Sequence, residues 1–172
     1  STNKQIVQRS CGKFRREWES SSMKDKSYTP ENYPILRYGD VLLMLAEAEN
    51  EAHQGPTDLA YECINEIRQR AGISKLEGLS YTDFQQAVRD ERARELCFES
   101  LRKYDLVRWG IYVEAVHDKL GAATQDKRWA TGNQFIGARD YAARTQEKHQ
   151  FLPIPTKELD VNGKLEQNKY WQ

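Results

Sequence analysis

Residues 83–109, DFQQAVRDERARELCFESLRKYDLVRW, limit what this chain can fold into more than any other stretch. At helical spacing Phe84, Val88, Glu91, Glu95, Phe98 and Arg102 fall along one stripe. The stripe begins apolar, carries two carboxylates, returns to an aromatic ring and ends in a guanidinium. Ser80 with Asp83 three residues on predicts the helix start. The hydroxyl accepts an early backbone N–H, and the acid sits at the positive end of the helix dipole. Neither Gly nor Pro occurs before Gly110, so the pattern predicts one long helix. Charge on a buried stripe must be paired, and Arg92, Arg94 and Arg102 are the nearest partners in sequence.

Glu91 and Glu95 also invite a catalytic reading. Residues one turn apart have Cβ atoms about 5–6 Å apart, and retaining glycosidases hold two carboxyls roughly 5–5.5 Å apart. That agreement is a consequence of helix pitch. Catalytic acid pairs reach a sugar from opposite sides of a cleft, whereas neighbours on one helix face approach from the same side. A structural ion-pair network accounts for these residues more simply.

Composition narrows the function classes. Lys plus Arg and Asp plus Glu both total 26 in 172 residues, so no overall field draws the chain to nucleic acid or to an anionic membrane. A charged share of 30% with 10% aromatics suits a folded, well-solvated helical protein. No apolar run has the length to span a bilayer. The polar opening, without an initiator Met or signal peptide, reads as a segment of a longer chain. Three cysteines, with no CxxC and no His cluster, point to neither zinc nor a disulfide framework. Cys63 and Cys97 are expected on apolar helix faces, and nothing calls for a cofactor.

Residues 1–34 form a polar lead-in, in which KFRREWE (13–19) is the one alternation that reads as a strand, with Phe14 and Trp18 on one side. Residues 35–120 read as helical hairpins. A helix over about 35–53 is apolar nearly all round at Leu42–Ala46, which predicts a place between other elements. Gly55-Pro56 ends it. Thr57 caps a second helix to about Ala71, with Ala60, Ile64 and Ile67 on one face and Gly72 as its stop. After a loop at 74–79 come the long helix and another over about 111–120. Two successive hairpins are the layout of tetratricopeptide-like repeats, although the repeat consensus is poorly matched. Tyr104, Leu106 and Trp109 are expected to pack on Leu42–Leu45 and Ile64–Ile67.

Residues 121–172 form a variable loop and an extended tail. In 122–150, scattered Gly, Thr, Gln and Asn accompany Trp129, Phe135 and Tyr141. Rings beside amide and charged side chains suit a sugar, because a ring covers the apolar pyranose face while polar neighbours take the hydroxyls. Rings that merely pin a loop to the helices would look the same. Trp129, near Arg128, Asn133 and Gln134, and Tyr141, near Arg139 and Asp140, are the candidate ligand-binding residues. The tail reads as an extended FLPIP piece followed by a capped helical turn from Thr156. Asp160, Asn162 and Gly163 lack calcium-loop spacing.

Four ordered blocks resemble the SusD/RagB family of surface-exposed outer-membrane lipoproteins that bind nutrients, chiefly glycans. They are NYPILRYGDVLLMLAEAENE (32–51), INEIRQRAG (64–72), ERARELCFESLRKYDLVRWG (91–110) and LPIPTKELDVNGKLEQN (152–168). The resemblance implies a mainly α fold, with tetratricopeptide-like hairpins, long irregular loops and little strand, forming the C-terminal portion of a family member over 1–172. A lipid anchor would lie upstream. Two positions depart from the family pattern: Gly39 stands where Ala is common, and Ser100-Leu101 replaces a Gly-His-like pair after Phe-Glu. The shared blocks imply scaffold, so Glu91, Glu95, Arg102, Asp105 and Trp109 carry over as structural residues.

Three functions follow. The first is a non-catalytic glycan-binding subunit that hands oligosaccharide to a TonB-dependent SusC-like transporter at the cell surface. The second is a helical-repeat adaptor that binds only protein. The third is a hydrolase built on the helix carboxylates.

Overall fold

A computed structural model of the chain describes residues 11–19, 30, 32–121 and 133–172. Among them the regular structure is helical and no strand occurs. No described helix is long and apolar enough to cross a membrane. The chain divides into two compact units, with Cys11–Arg102 in one and Lys103–Gln172 in the other.

The first unit is built on three helices: α1 (Tyr38–His53), α2 (Asp58–Arg70) and α3 (Tyr81–Glu95). Their starts follow from local chemistry. The Thr57 hydroxyl accepts the Ala60 N–H at 3.1 Å, and the Ser80 hydroxyl accepts the Asp83 N–H at 3.2 Å. Each satisfies a donor that the first turn leaves unpaired. Gly72, at φ 73°, reverses the chain after α2 in the left-handed region that glycine tolerates. The α2–α3 loop is pinned from within: Asn65 brackets the backbone of Leu76 with bonds of 2.9 and 2.7 Å, and the Tyr61 hydroxyl accepts the Leu79 N–H at 2.7 Å.

Leu42, Leu43 and Ala46 of α1 meet Ala60, Cys63, Ile64 and Ile67 of α2 and Phe84 and Val88 of α3 in one core. Tyr61 closes it edge-on to Phe84, ring centres 5.0 Å apart. Each buried Leu, Ile or Phe contributes about 1.5–3 kcal/mol. The α1 centre is not enclosed all round, because Val41, Met44 and Leu45 are exposed on the face away from this core. The α1 start also falls later than its sequence suggests, leaving Ile35 and Leu36 exposed ahead of it.

The long helix expected over 83–109 is broken. It stops at Glu95, and α4 (Arg102–Arg108) starts after a six-residue turn. Phe98 and Ser100 hold φ of 65° and 61° there. Both are left-handed conformations that cost an L-residue roughly 1–2 kcal/mol. Distant partners impose the turn: the Tyr33 hydroxyl donates to the Glu99 carbonyl at 2.8 Å, and Arg37 donates to the Glu95 carbonyl at 2.5 Å. Residue 100, where the resemblance has Gly, therefore takes a glycine-like backbone. Helix α3 packs on α1 and α2, and the helical architecture agrees with the expected mainly α fold. The break also exposes Cys97, which was expected on an apolar face.

The KFRREWE segment forms a 3-10 turn, Arg16–Trp18, instead of a strand. Phe14 and Trp18 are both exposed, with Phe14 tilted against Tyr33 at 5.5 Å. Alternation over so few residues lacks a partner edge to pair with.

In the second unit, α4 leads through Gly110 to α5 (Tyr112–Ala115), which runs on into wider π-helical turns, Val116–Gly121. Helix α6 (Asn133–Arg144) lies where the sequence suggested an irregular loop. Among its described side chains the buried apolar residue is Ala142, and Gly137 interrupts the apolar pattern in sequence. Leu106, Tyr112, Val116 and Ala142 form the core, with Trp109 half-buried against it. Leu106 and Trp109, expected on Leu42–Leu45 and Ile64–Ile67, therefore pack in this second core, while Tyr104 is 70% exposed. The tail runs extended from Phe151 into α7 (Thr156–Val161), which lacks the side-chain cap expected of Thr156. Gln167 brackets Ile154 with bonds of 2.9 and 3.0 Å, and the Trp171 indole N–H donates to the Phe151 carbonyl at 3.0 Å.

Candidate functional site

Two places carry concentrated chemistry, one in each unit. In the first, α3 and the turn that follows it present a row of acids. Glu91, 3% exposed, accepts from Arg68 Nη1 of α2 at 2.8 Å, with Arg94 at 3.7 Å. Glu95 meets Arg37 and, at 2.5 Å, Arg70. Glu99 meets Lys13 and, at 2.7 Å, Arg37 Nε. Beside this row the buried pair Asp40–Arg92 closes at 2.8 Å. The partners therefore come mostly from other elements, and sequence neighbours contribute little. Arg102 is exposed and donates to the Arg89 carbonyl at 3.1 Å.

The electrostatics follow from this geometry. Burial pushes the Glu95 carboxyl up, but the bonds from Arg70 and Arg37 outweigh it and hold it below the usual carboxylate range. Burial likewise opposes ionisation of Glu99, and Arg37 with Lys13 reverses the balance. The Glu99 hydrogen bond raises the Arg37 guanidinium further, against burial and together with Glu95. Carboxyls held ionised have no proton to give near neutral pH, and a general acid needs one. Gly39 belongs to the same cluster. A Cβ there would stand 2.9 Å from Arg37 Nη1 and 3.1 Å from Glu95 Oε1, so the missing methyl makes room for the pair. Lys13, Arg37 and Glu99 carry no local signal of this role, because the nearest of their partners is 58 residues away.

In the second unit a pocket of about 490 Å³ opens between α5, α6 and the tail. Tyr112, Tyr141, Phe151 and Trp171 supply rings, and Lys103, Asp140, Arg144 and His149 supply polar groups. Tyr141 is exposed, and its hydroxyl is hydrogen-bonded to that of buried Tyr112. Burial and that bond push the Tyr112 phenol up to about 12, so it stays neutral. Thr145 fixes the end of α6 by donating its hydroxyl to the Tyr141 carbonyl at 2.7 Å, which also accepts its backbone N–H at 3.1 Å. Phe151 stacks on Tyr170 at 4.7 Å, and His149 lies edge-on to Trp171 at 5.8 Å.

Of the two residues named from sequence as ligand contacts, Tyr141 lines this pocket. Trp129 lies outside the described residues, with Arg128 and the side chains of Asn133 and Gln134. Asp105 is buried and accepts from Arg108 Nε at 3.0 Å, and Trp109 carries the Arg108 guanidinium 4.8 Å from its ring centre. Sequence reasoning missed His149, Phe151 and Trp171. The tail returns them beside α6 from a distance that no spacing rule covers. Among the described residues no group of three or more His, Cys, Asp or Glu is placed to hold a metal ion.

Comparison with known proteins places this geometry in a family. The SusD family model matches residues 2–171. SusD-like protein P25 of Formosa agariphila is 40% identical over 139 residues, which take in 78% of this chain and 23% of that protein. SusD-like protein P2 of the same organism is 29% identical over 148 residues, 80% of this chain and 25% of that protein. The crystal structure of a SusD homolog from Bacteroides thetaiotaomicron superposes with a TM-score of 0.72 at 36% identity, covering 89% of this chain and 30% of that one. A SusD superfamily protein from Bacteroides vulgatus gives a TM-score of 0.59 at 31% identity, covering 79% and 27%. The chain thus spans about a quarter of the length of the curated relatives it matches.

Proposed function

The chain belongs to the SusD family, and on that premise we propose that it is the C-terminal portion of a non-catalytic, cell-surface glycan-binding subunit. The parent would be held at the outer membrane by an upstream lipid anchor and would pass oligosaccharide to a TonB-dependent SusC-like transporter. The observation that carries the reading is the ring-lined pocket of the second unit, where Tyr141 and Trp171 stand beside Lys103, Arg144 and His149. Apolar faces with a few convergent polar groups are what a pyranose requires. In this reading Glu91, Glu95, Arg102, Asp105 and Trp109 are scaffold, and Tyr141 and Trp129 are ligand contacts. The guanidinium-saturated state of Glu95 and Glu99 supports a non-catalytic role.

Calorimetric titration of the full-length parent with a panel of plant, algal and bacterial oligosaccharides tests this. The expected result is saturable binding with the sugar recovered intact. Absence of binding across the panel would overturn the reading, and release of shorter products would favour the hydrolase. One observation favours a protein-binding adaptor as a second reading: Tyr38, Val41, Met44 and Leu45 form an exposed apolar strip along α1. An adaptor would leave the titration flat.

A further inference from the structure

The pocket has a charge balance that a neutral sugar does not need. Among the described residues lining it, Lys103 and Arg144 are cationic and Asp140 is the only carboxylate. Asp140 is partly countered by Arg139 Nε, 3.8 Å away on the same helix. The Lys103 ammonium stands 5.3 Å from the ring centre of Tyr112, whose phenol is bound to that of Tyr141. Arg144 follows Tyr141 by three positions on α6, which places the two on the same helix face. His149 adds a donor: its Nδ1 accepts the Gln146 N–H at 2.8 Å, so in the neutral imidazole the proton sits on Nε2. Rings, a guanidinium, an ammonium and an imidazole N–H therefore share one concavity.

Resting on the glycan-binding reading above, we infer that this pocket selects sugars bearing an anionic substituent, a uronate carboxylate or a sulfate ester. The pyranose face would lie on Tyr141 with the anion turned to Arg144 and Lys103. A guanidinium meets either oxyanion through paired N–H donors, and such charge-assisted bonds are roughly twice as strong as neutral ones. A neutral hydroxyl in the same place would take only the weaker, singly charged hydrogen bonds, with both cations otherwise left to water.

The test uses the full-length parent and matched probes. Oligogalacturonides are titrated beside their carboxyl-reduced forms, and sulfated galactan oligosaccharides beside their desulfated forms, all within the wider neutral panel. The expected result is binding to one charged probe, with affinity falling on the order of tenfold when its charge is removed. Whichever neutralisation matters identifies carboxylate or sulfate. Arg144→Gln and Lys103→Gln, both at exposed positions, should each abolish most of that difference. Equal affinity for charged and neutral forms, or binding confined to neutral sugars, overturns the inference and leaves glycan binding standing. Charge selectivity that survives both substitutions overturns the assignment to this pocket. If neither charged nor neutral probes bind, the glycan-binding reading falls and this inference with it.

Discussion

In the Cys11–Arg102 unit, Asp40, Glu91, Glu95 and Glu99 each meet a guanidinium or ammonium within the fold. In the Lys103–Gln172 unit, Lys103 and Arg144 stand at an open pocket that one carboxylate lines. Both regions draw on the same residue types. The difference is whether the described residues supply the partner. Where they do, the charge fixes backbone geometry and has little left for a ligand. Where they do not, the same groups remain available. A cluster of acids and arginines is therefore weak evidence for a binding site until each partner is counted, and the buried α3 row, conspicuous in sequence, is the satisfied one.

Breaking the satisfied region should give the largest effect. Asp40→Ala removes the carboxylate from Arg92 where both side chains are less than a tenth exposed, and should cost about 3–5 kcal/mol. Denaturant unfolding measures it, and a loss below about 1 kcal/mol would show the pair to be incidental. Glu95→Gln should cost less, about 1–3 kcal/mol, since the amide still accepts one hydrogen bond. Glycan affinity per folded molecule should not change. The sign of the pH dependence follows from the same residues. Glu95 and Glu99 have folded pKa values depressed below their unfolded value of about 4.3. Their contribution is complete above that value and is lost as pH falls through the folded pKa values. Unfolding midpoints should therefore fall as the pH drops below about 4, and less steeply in Glu95→Gln.

The open region should respond in binding more than in stability. Tyr141→Ala removes an exposed ring, and should weaken glycan binding about 2- to 10-fold, from roughly 0.5–1.5 kcal/mol of stacking, with a modest fall in melting temperature because buried Tyr112 loses its hydroxyl partner. Binding left intact while the melting temperature falls would move Tyr141 into the scaffold. The smallest effect is expected at the turn. Ser100→Gly relieves a left-handed backbone at φ 61° and should raise stability by about 0.5–1 kcal/mol, offset in part by a looser unfolded chain. Calorimetric melting of the two proteins side by side decides it.

What could be read from the sequence divides along the same line. Thr57, Ser80 and Gly72 announce helix ends because a cap or a left-handed stop is settled within a few residues. The first hairpin and its apolar faces are similarly local. The break after Glu95 is not, because Phe98 and Ser100 are ordinary residues held in unusual backbone by Arg37, Tyr33 and Lys13. Residues 83–109 carry a helical period throughout, and tertiary bonds override it. Helix α6 is hard to see in sequence because Gly137 interrupts it and its short apolar pattern lies among scattered Gly, Thr, Gln and Asn. Tyr141 stood out as a ring among polar neighbours, whereas His149, Phe151 and Trp171 looked like tail residues until the chain brought them back.

The bonds that hold the turn at Glu99 also have a kinetic meaning. Lys13 reaches it across 86 residues and Arg37 across 62. Closing loops of that length costs entropy before any bond repays it, so these pairs should form after the α1–α2–α3 core has collapsed. Interactions absent from the transition state act on the exit from the native basin and not on the entry. The turn then works as a latch: weakening Arg37 should steepen escape to the unfolded state while the refolding rate stays nearly constant, a pattern visible in the two arms of a chevron plot.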